Sequence, residues 1–278
     1  MNLVSTDWLE SNLHKVKIFD ASWHMPSTKR NAKKEYDEKH IDGAMFWDMD
    51  EHSDKDSHYP HMMSNSDYWT RMLWSFGIQN NDHIVVYDFS DVYSSCRLWF
   101  SLKYFGHKKV SVLDGGMKKW LKENRSTSEE VNEDLGKFSS IEKLNPKNKY
   151  KVNENSEWIK NKKQIDENIK NFSFQLVDAR GRKRFEGKED EPRPGLKKGC
   201  IVGSKNIPFK DCIDSVKNTF KTKSELIQIF TENKVDTSKP IVFTCGSGVT
   251  ACVLGMAYSI ISGKNAVIYD GSWSEYGK

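Results

Sequence analysis

The chain has few cysteines and no pattern among them. There are five, an odd number, and no two form a Cys-x-x-Cys pair. A disulfide-framed secreted domain and a cysteine-rich zinc site are both disfavoured, and reduced thiols are expected. Long apolar runs are also missing. The longest apolar-looking stretch, Ala251–Ile261, is too short and too interrupted to span a membrane. No Lys/Arg block stands apart from nearby acids, and 43 basic against 39 acidic residues leave a formal charge of only +4. Without a dominant phosphate-neutralising stripe, a nucleic-acid partner is disfavoured. The opening MNLVSTDWLE carries an acid and a Trp where a secretion signal needs basic and then apolar residues. These absences point to a soluble, cytoplasmic chain with neither a membrane nor a nucleic-acid partner.

What is present is aromatic and duplicated. Nine Trp, ten Tyr and fourteen Phe exclude a disordered chain. Two domains of about 130 residues would each be large enough to bury a core. Val16–Ala21 (VKIFDA) reappears as Phe174–Ala179 (FQLVDA), and His40–Ala44 (HIDGA) as Cys200–Ser204 (CIVGS). Ile84–Asp88 (IVVYD) is echoed by Ile241–Cys245 (IVFTC), and Val112–Gly116 (VLDGG) by Ile268–Ser272 (IYDGS). The four offsets lie between 156 and 160 residues, so order and spacing are both kept. Four collinear echoes make a tandem duplication. Between the copies, Glu123–Lys149 is polar and lacks an apolar period. We therefore expect domains at 1–122 and 150–278 with a connection over 123–149. Short Val/Ile/Phe runs alternate with helix-period segments in each half, which predicts α/β domains: mainly parallel sheets with helices on both faces. In such sheets ligands bind at the carboxyl ends of strands.

The sharpest local signal sits at one such end. Ile241-Val242-Phe243-Thr244 runs into Cys245-Gly246-Ser247-Gly248-Val249-Thr250, after which a helical run begins. The glycines would let successive N–H groups turn inward as a nest, and a helix N-terminus adds partial positive charge. Both would favour a reactive thiolate. A buried, inert thiol is the ordinary fate of a free cysteine, and it is the expected one for Cys96, Cys200, Cys212 and Cys252. The position matching Cys245 in the first half is Asp88, so one reactive site per chain is expected.

The Cys-Gly-Ser-Gly-Val-Thr-Ala loop, the tandem halves, the segment from Asp178 to Arg193 and the Asp-Gly-Ser-Trp-Ser-Glu-Tyr-Gly terminus resemble the two-domain rhodanese family. Within it they are similar to the branch that uses mercaptopyruvate. The resemblance implies sulfur transfer through a Cys245 persulfide, with a small-molecule sulfur donor and no metal or organic cofactor. The acceptor would be a thiol, such as a thioredoxin-type protein, or cyanide. It assigns Arg184 and Arg193 to the substrate's carboxylate and keto oxygens, a task suited to a planar guanidinium. The loop residues Gly246, Gly248, Val249 and Thr250 would complete the substrate and persulfide cradle. It also matches Asp50, His61 and Ser247 to a proton relay. Charge alone would leave the four-arginine segment 178–193 a solvated loop, and 47–62 a polar surface loop or a histidine-rich metal site.

Departures from the family pattern are Cys200-Ile201-Val202-Gly203 in place of His-Ile-Pro-Gly, Tyr276 where Trp is common, and His52 at a variable position. Thiosulfate-using relatives typically carry basic residues after the cysteine, whereas Gly246 and Ser247 are uncharged. A thiosulfate:cyanide transferase and a non-catalytic sulfur-binding module remain the rival readings. A Cys-x5-Arg phosphatase loop is disfavoured because Ala251 stands where its arginine would be.

Overall fold

The computed structural model describes residues 1–131, 134–143 and 149–278. The chain divides into two units, one of 1–54 and 63–155, the other of 55–62 and 156–278. The expected connection over 123–149 lies partly outside the described residues. Residues 150–155 fall in the first unit because their backbone is bonded to it. Asn153 N–H donates to the Phe105 carbonyl at 3.1 Å and Asn155 N–H to that of Tyr104 at 2.9 Å.

The first unit contains β1 (Leu3–Val4), β2 (Lys17–Asp20), β3 (Ala44–Phe46), β4 (Ile84–Tyr87) and β5 (Val110–Leu113). These form one parallel sheet in the order β1-β5-β4-β2-β3. Its helices are α1 (Thr6–Glu10), α2 (Ala32–Glu38), α3 (Ser66–Ser75), α4 (Ser95–Tyr104) and α5 (Gly116–Lys122). The second unit contains β6 (Ile159–Lys160), β7 (Gln175–Asp178), β8 (Lys205–Asn206), an antiparallel pair β9 (Ile213–Asp214) and β10 (Thr219–Phe220), then β11 (Ile241–Thr244) and β12 (Ile268–Tyr269). Its parallel sheet runs β6-β12-β11-β7-β8, the same order as in the first unit. The helices are α6 (Lys162–Asn171), α7 (Arg182–Phe185), α8 (Lys223–Glu232), α9 (Ala251–Ser262) and α10 (Ser272–Tyr276).

Both central strands, β4 and β11, are buried at every residue, which is why they read as unbroken β-branched and aromatic runs. α9 is apolar almost all round because it too is buried along its length, from Ala251 to Ser259. β11 and α9 are therefore rigid supports, and the segment joining them starts from a fixed position.

The two copies differ at the end of the second sheet strand. In the second unit, Asp178 is paired with Arg180, two residues on. In the first, Ser22 stands in that place, and its N–H donates to Asp20 Oδ1 at 2.8 Å. Burial, opposed in part by hydrogen bonds from Ser22 and Tyr87, raises the Asp20 carboxyl from its ordinary value to about 7. The folded chain thus holds this proton more tightly than the unfolded one. Its contribution to stability is complete below about pH 4 and is lost as pH rises to about 7. Asp20→Asn should escape this loss, gaining on the order of 2–4 kcal/mol relative to wild type between those limits. Urea unfolding of both chains at pH 5 and pH 8 checks it; an equal difference at the two pH values would show Asp20 ionised throughout.

Candidate active site

β11 delivers Cys245 to the carboxyl edge of the second sheet, where it is 2% exposed. The direction of the loop that follows is set by its carbonyls. Trp273 N–H donates to the Cys245 carbonyl at 2.9 Å and Ser274 N–H to that of Gly246 at 2.8 Å. Ser274 Oγ also donates to the Gly246 carbonyl, at 2.5 Å. In a planar trans peptide the next N–H points opposite to the carbonyl. The N–H groups of Gly246 and Ser247 are therefore aimed away from α10. Cys252 Sγ donates to the Gly248 carbonyl at 3.2 Å and does the same for the N–H of Val249. Gly248 turns the chain at φ +75°, a conformation that favours glycine. Thr250, the N-cap of α9, makes no side-chain cap, while Cys252 N–H donates to the Val249 carbonyl and Val253 N–H to that of Thr250, both at 3.1 Å. With the N–H groups of Gly246, Ser247 and Val249 turned to one side, the loop can serve as an anion cradle at the foot of a cysteine.

Two guanidinium groups lie beside it. A Cβ placed on Gly246 would sit 3.2 Å from Arg184 Nη2 and 3.9 Å from Arg193 Nη1. Arg184, on α7, is held by Glu191, with Nη2 to Oε2 at 2.5 Å. Glu191 is gripped from its other side by Arg180, Nη1 to Oε1 at 2.7 Å. Arg180 is buried, donates also to Asp178 and to the Gly199 carbonyl, and lies 4.4 Å over the Trp273 ring. Arg182 is exposed and 4.0 Å from Asp211. The four arginines thus separate into one buried brace, one solvated residue and two at the loop. Glu191 was not anticipated. A buried carboxylate shared by two arginines has the same local sequence as a solvated charge run.

His61 Nδ1 lies 2.9 Å from Ser247 Oγ, and both residues are buried. His61 adopts φ +62°, a left-handed conformation that costs a non-glycine residue free energy and persists only where surroundings enforce it. It belongs to the segment 55–62, which is part of the second unit. Asp50 belongs to the first unit, where Trp23 Nε1 donates to its Oδ2 at 2.9 Å. His52, buried there, stacks on Trp47 and bonds the Tyr68 hydroxyl at 2.9 Å. Among the described residues no group of three or more His, Cys, Asp or Glu is placed to hold a metal ion.

A model of the rhodanese-like domain matches the chain twice, at residues 5–123 and 161–278. The chain belongs to the rhodanese family. It is 38% identical over 282 residues to human 3-mercaptopyruvate sulfurtransferase, covering 99% of this chain and 91% of that one. It is 39% identical over 285 residues to mouse thiosulfate sulfurtransferase, with the same coverage of 99% and 91%. Among solved structures, the 3-mercaptopyruvate sulfotransferase SseA of Escherichia coli matches with TM-score 0.81 and 32% identity, over 98% of this chain and 99% of that one.

The two rhodanese copies use the loop differently. In the first, Asp88 fills it with its own carboxylate: Oδ1 accepts from Ser90 N–H at 2.9 Å and Oδ2 from Ser95 N–H at 3.0 Å. The remaining thiols lack the cradle. Burial pushes the Cys212 thiol up to about 12 and that of Cys200 upward. No helix among the described residues is long and apolar enough to cross a membrane.

The brace around Arg180 gives a clear stability expectation. Removing it leaves Asp178 buried without its cation and Glu191 with Arg184 as its remaining arginine, so Arg180→Met should cost about 3–5 kcal/mol. Arg182→Ala, at the surface, should change stability by no more than about 0.5 kcal/mol. Urea denaturation of both variants measures the contrast, and comparable losses would show that Arg180 does not brace the site.

Proposed function

We propose that this chain moves sulfur from 3-mercaptopyruvate, through a persulfide on Cys245, to a thiol or cyanide acceptor, releasing pyruvate. The observation that carries this reading is the pair of guanidinium groups above Gly246. Relatives of both donor classes match the chain over the same length at 38% and 39% identity, so overall similarity cannot choose between them. The loop favours mercaptopyruvate: position 246, basic in thiosulfate-using relatives, is a glycine whose added Cβ would stand 3.2 Å from Arg184 Nη2, and position 247 is an uncharged Ser. The cations instead stand on the 184–193 segment, where planar forks suit a carboxylate and its adjacent keto oxygen.

In the proposed reaction the Cys245 thiolate attacks the sulfur of mercaptopyruvate. A sulfur–sulfur bond forms and the carbon–sulfur bond breaks, its electron pair passing to the pyruvate enolate. The proton that began on the substrate thiol ends on the pyruvate methyl group, so the balance closes at a persulfide anion and pyruvate. Arg184 and Arg193 hold the carboxylate and enolate oxygens. Gly246, Gly248, Val249 and Thr250 form the loop that stabilises the outer sulfur. His61 and Ser247, in hydrogen-bond contact, pass the proton, and family resemblance adds Asp50 to that relay. An acceptor thiol, small or on a thioredoxin-type protein, then removes the outer sulfur. The kinetics are ping-pong. Five free cysteines support a reducing, cytoplasmic setting.

Mass spectrometry after mercaptopyruvate treatment should find one added sulfur on the Cys245 peptide. Cys245→Ser should abolish pyruvate release, whereas Ser at Cys96, Cys200, Cys212 or Cys252 should preserve most of it. Arg184→Ala and Arg193→Ala should each lower kcat/KM for mercaptopyruvate about 10- to 150-fold, with poor rescue by Lys. Pyruvate release by the Cys245 variant, or a wild-type preference for thiosulfate at equal concentration, would overturn the proposal.

A further inference from the structure

Beneath the cradle lies a residue that the proposed chemistry does not use. Ser272 opens α10, is fully buried and adopts φ +49°. A glycine would take this left-handed conformation at less cost. Its hydroxyl lies under the loop. Oγ accepts from Cys245 N–H at 3.2 Å and from Gly248 N–H at 3.1 Å, with the Thr244 hydroxyl at 3.3 Å. It donates to the Tyr269 carbonyl at 2.8 Å. Two of the loop's N–H groups are thereby drawn down to Ser272. Those of Gly246, Ser247 and Val249 are turned the other way by their anchored carbonyls.

The first copy supplies a comparison. Gly116 occupies the matching place at φ +54°, and Met117 N–H donates to the Asp88 carbonyl at 2.9 Å, as Trp273 does to Cys245. A Cβ on Gly116 would lie 2.5 Å from the Asp88 carbonyl oxygen, so that loop has settled into space a side chain would need. In the second copy the serine stands in that space and bonds the loop from below. We infer that Ser272 is a positioning residue for the sulfur carrier: a strut that fixes which loop N–H groups face the outer sulfur of Cys245. It acts through the loop backbone. The inference rests on the persulfide reading above, and its test has one arm that does not.

The full chain is compared with Ser272→Gly and Ser272→Ala. Ser272→Gly relieves the backbone strain while removing the strut, so its melting temperature should stay near wild type. The kcat for pyruvate release should fall about 10- to 100-fold with KM within about twofold, because loop geometry is lost and the arginines are not. Ser272→Ala keeps the methylene prop without the hydroxyl and should fall between the two. The independent arm is alkylation of the Cys245 peptide by iodoacetate and by iodoacetamide, followed by mass spectrometry. The anionic reagent depends on the inward N–H groups, so its rate relative to the neutral one should drop about 3- to 10-fold in the glycine variant. If the glycine variant unfolds, the alanine variant decides by the same two readouts. Wild-type kcat, a loss confined to KM, or an unchanged alkylation ratio in the folded variant overturns the role of Ser272. Absence of pyruvate from wild type would instead overturn the mercaptopyruvate reading, and the alkylation ratio would still decide on Ser272.

Discussion

The geometry of the second unit's loop depends on where two of its carbonyl groups are bonded. The carbonyls of Cys245, a buried residue, and of Gly246 accept from the first turn of α10. A buried carbonyl left unpaired costs on the order of 1–3 kcal/mol, so the loop is confined to the conformation that satisfies both. Peptide planarity then fixes the directions of the Gly246 and Ser247 N–H groups. The cradle is therefore a consequence of how β11 and α10 are packed, and the cysteine is one position on a backbone already aimed.

The arginine segment shows a second kind of constraint. Arg180, Asp178 and Glu191 form a buried ionic chain whose desolvation cost offsets much of its Coulombic gain, so it adds little net stability when intact. Its consequence is geometric. Glu191 is held by Arg180 and in turn holds Arg184, and the guanidinium at the loop inherits the rigidity of a fully buried residue. A surface arginine on a four-residue helix such as α7 would otherwise sample many rotamers and lose entropy on meeting a substrate.

Much of this was legible in the sequence. The duplication, both parallel sheets and the strand–cysteine–helix junction follow from short apolar runs at matched spacing, since a wholly buried strand has to be written in apolar residues. The roles within charged segments were not legible. Arg180 and Arg182 are two residues apart and alike in sequence, yet one is buried and one is exposed, because only the first lies within reach of Asp178 at the end of β7. Glu191 was hidden for the same reason. Residues 150–155 are tied to the first unit by backbone and side-chain bonds, among them those to Phe105, Tyr104, Asn80 and His107, which leave no trace in composition. Ser272 could have been found. It differs from its counterpart Gly116 at a place where the duplicated Asp-Gly dipeptide announces a turn.

The two copies also differ in how the loop after the central strand is supported. A ring of inward N–H groups is itself a cluster of buried donors, and a chain that leaves it unfilled bears their desolvation. The first copy relieves that cost internally: Asp88 takes the bonds of Ser90 and Ser95, its loop sinks toward Gly116, and the cradle is closed by a carboxylate of the chain. The second copy keeps a thiol of smaller hydrogen-bonding demand at the same place, and a serine beneath holds the loop off its floor. On the proposed reading the outer sulfur arrives and leaves in each cycle, while the Asp88 side chain stays in place, and the Ser272–Gly116 difference fits a loop that needs support from below in the second copy alone.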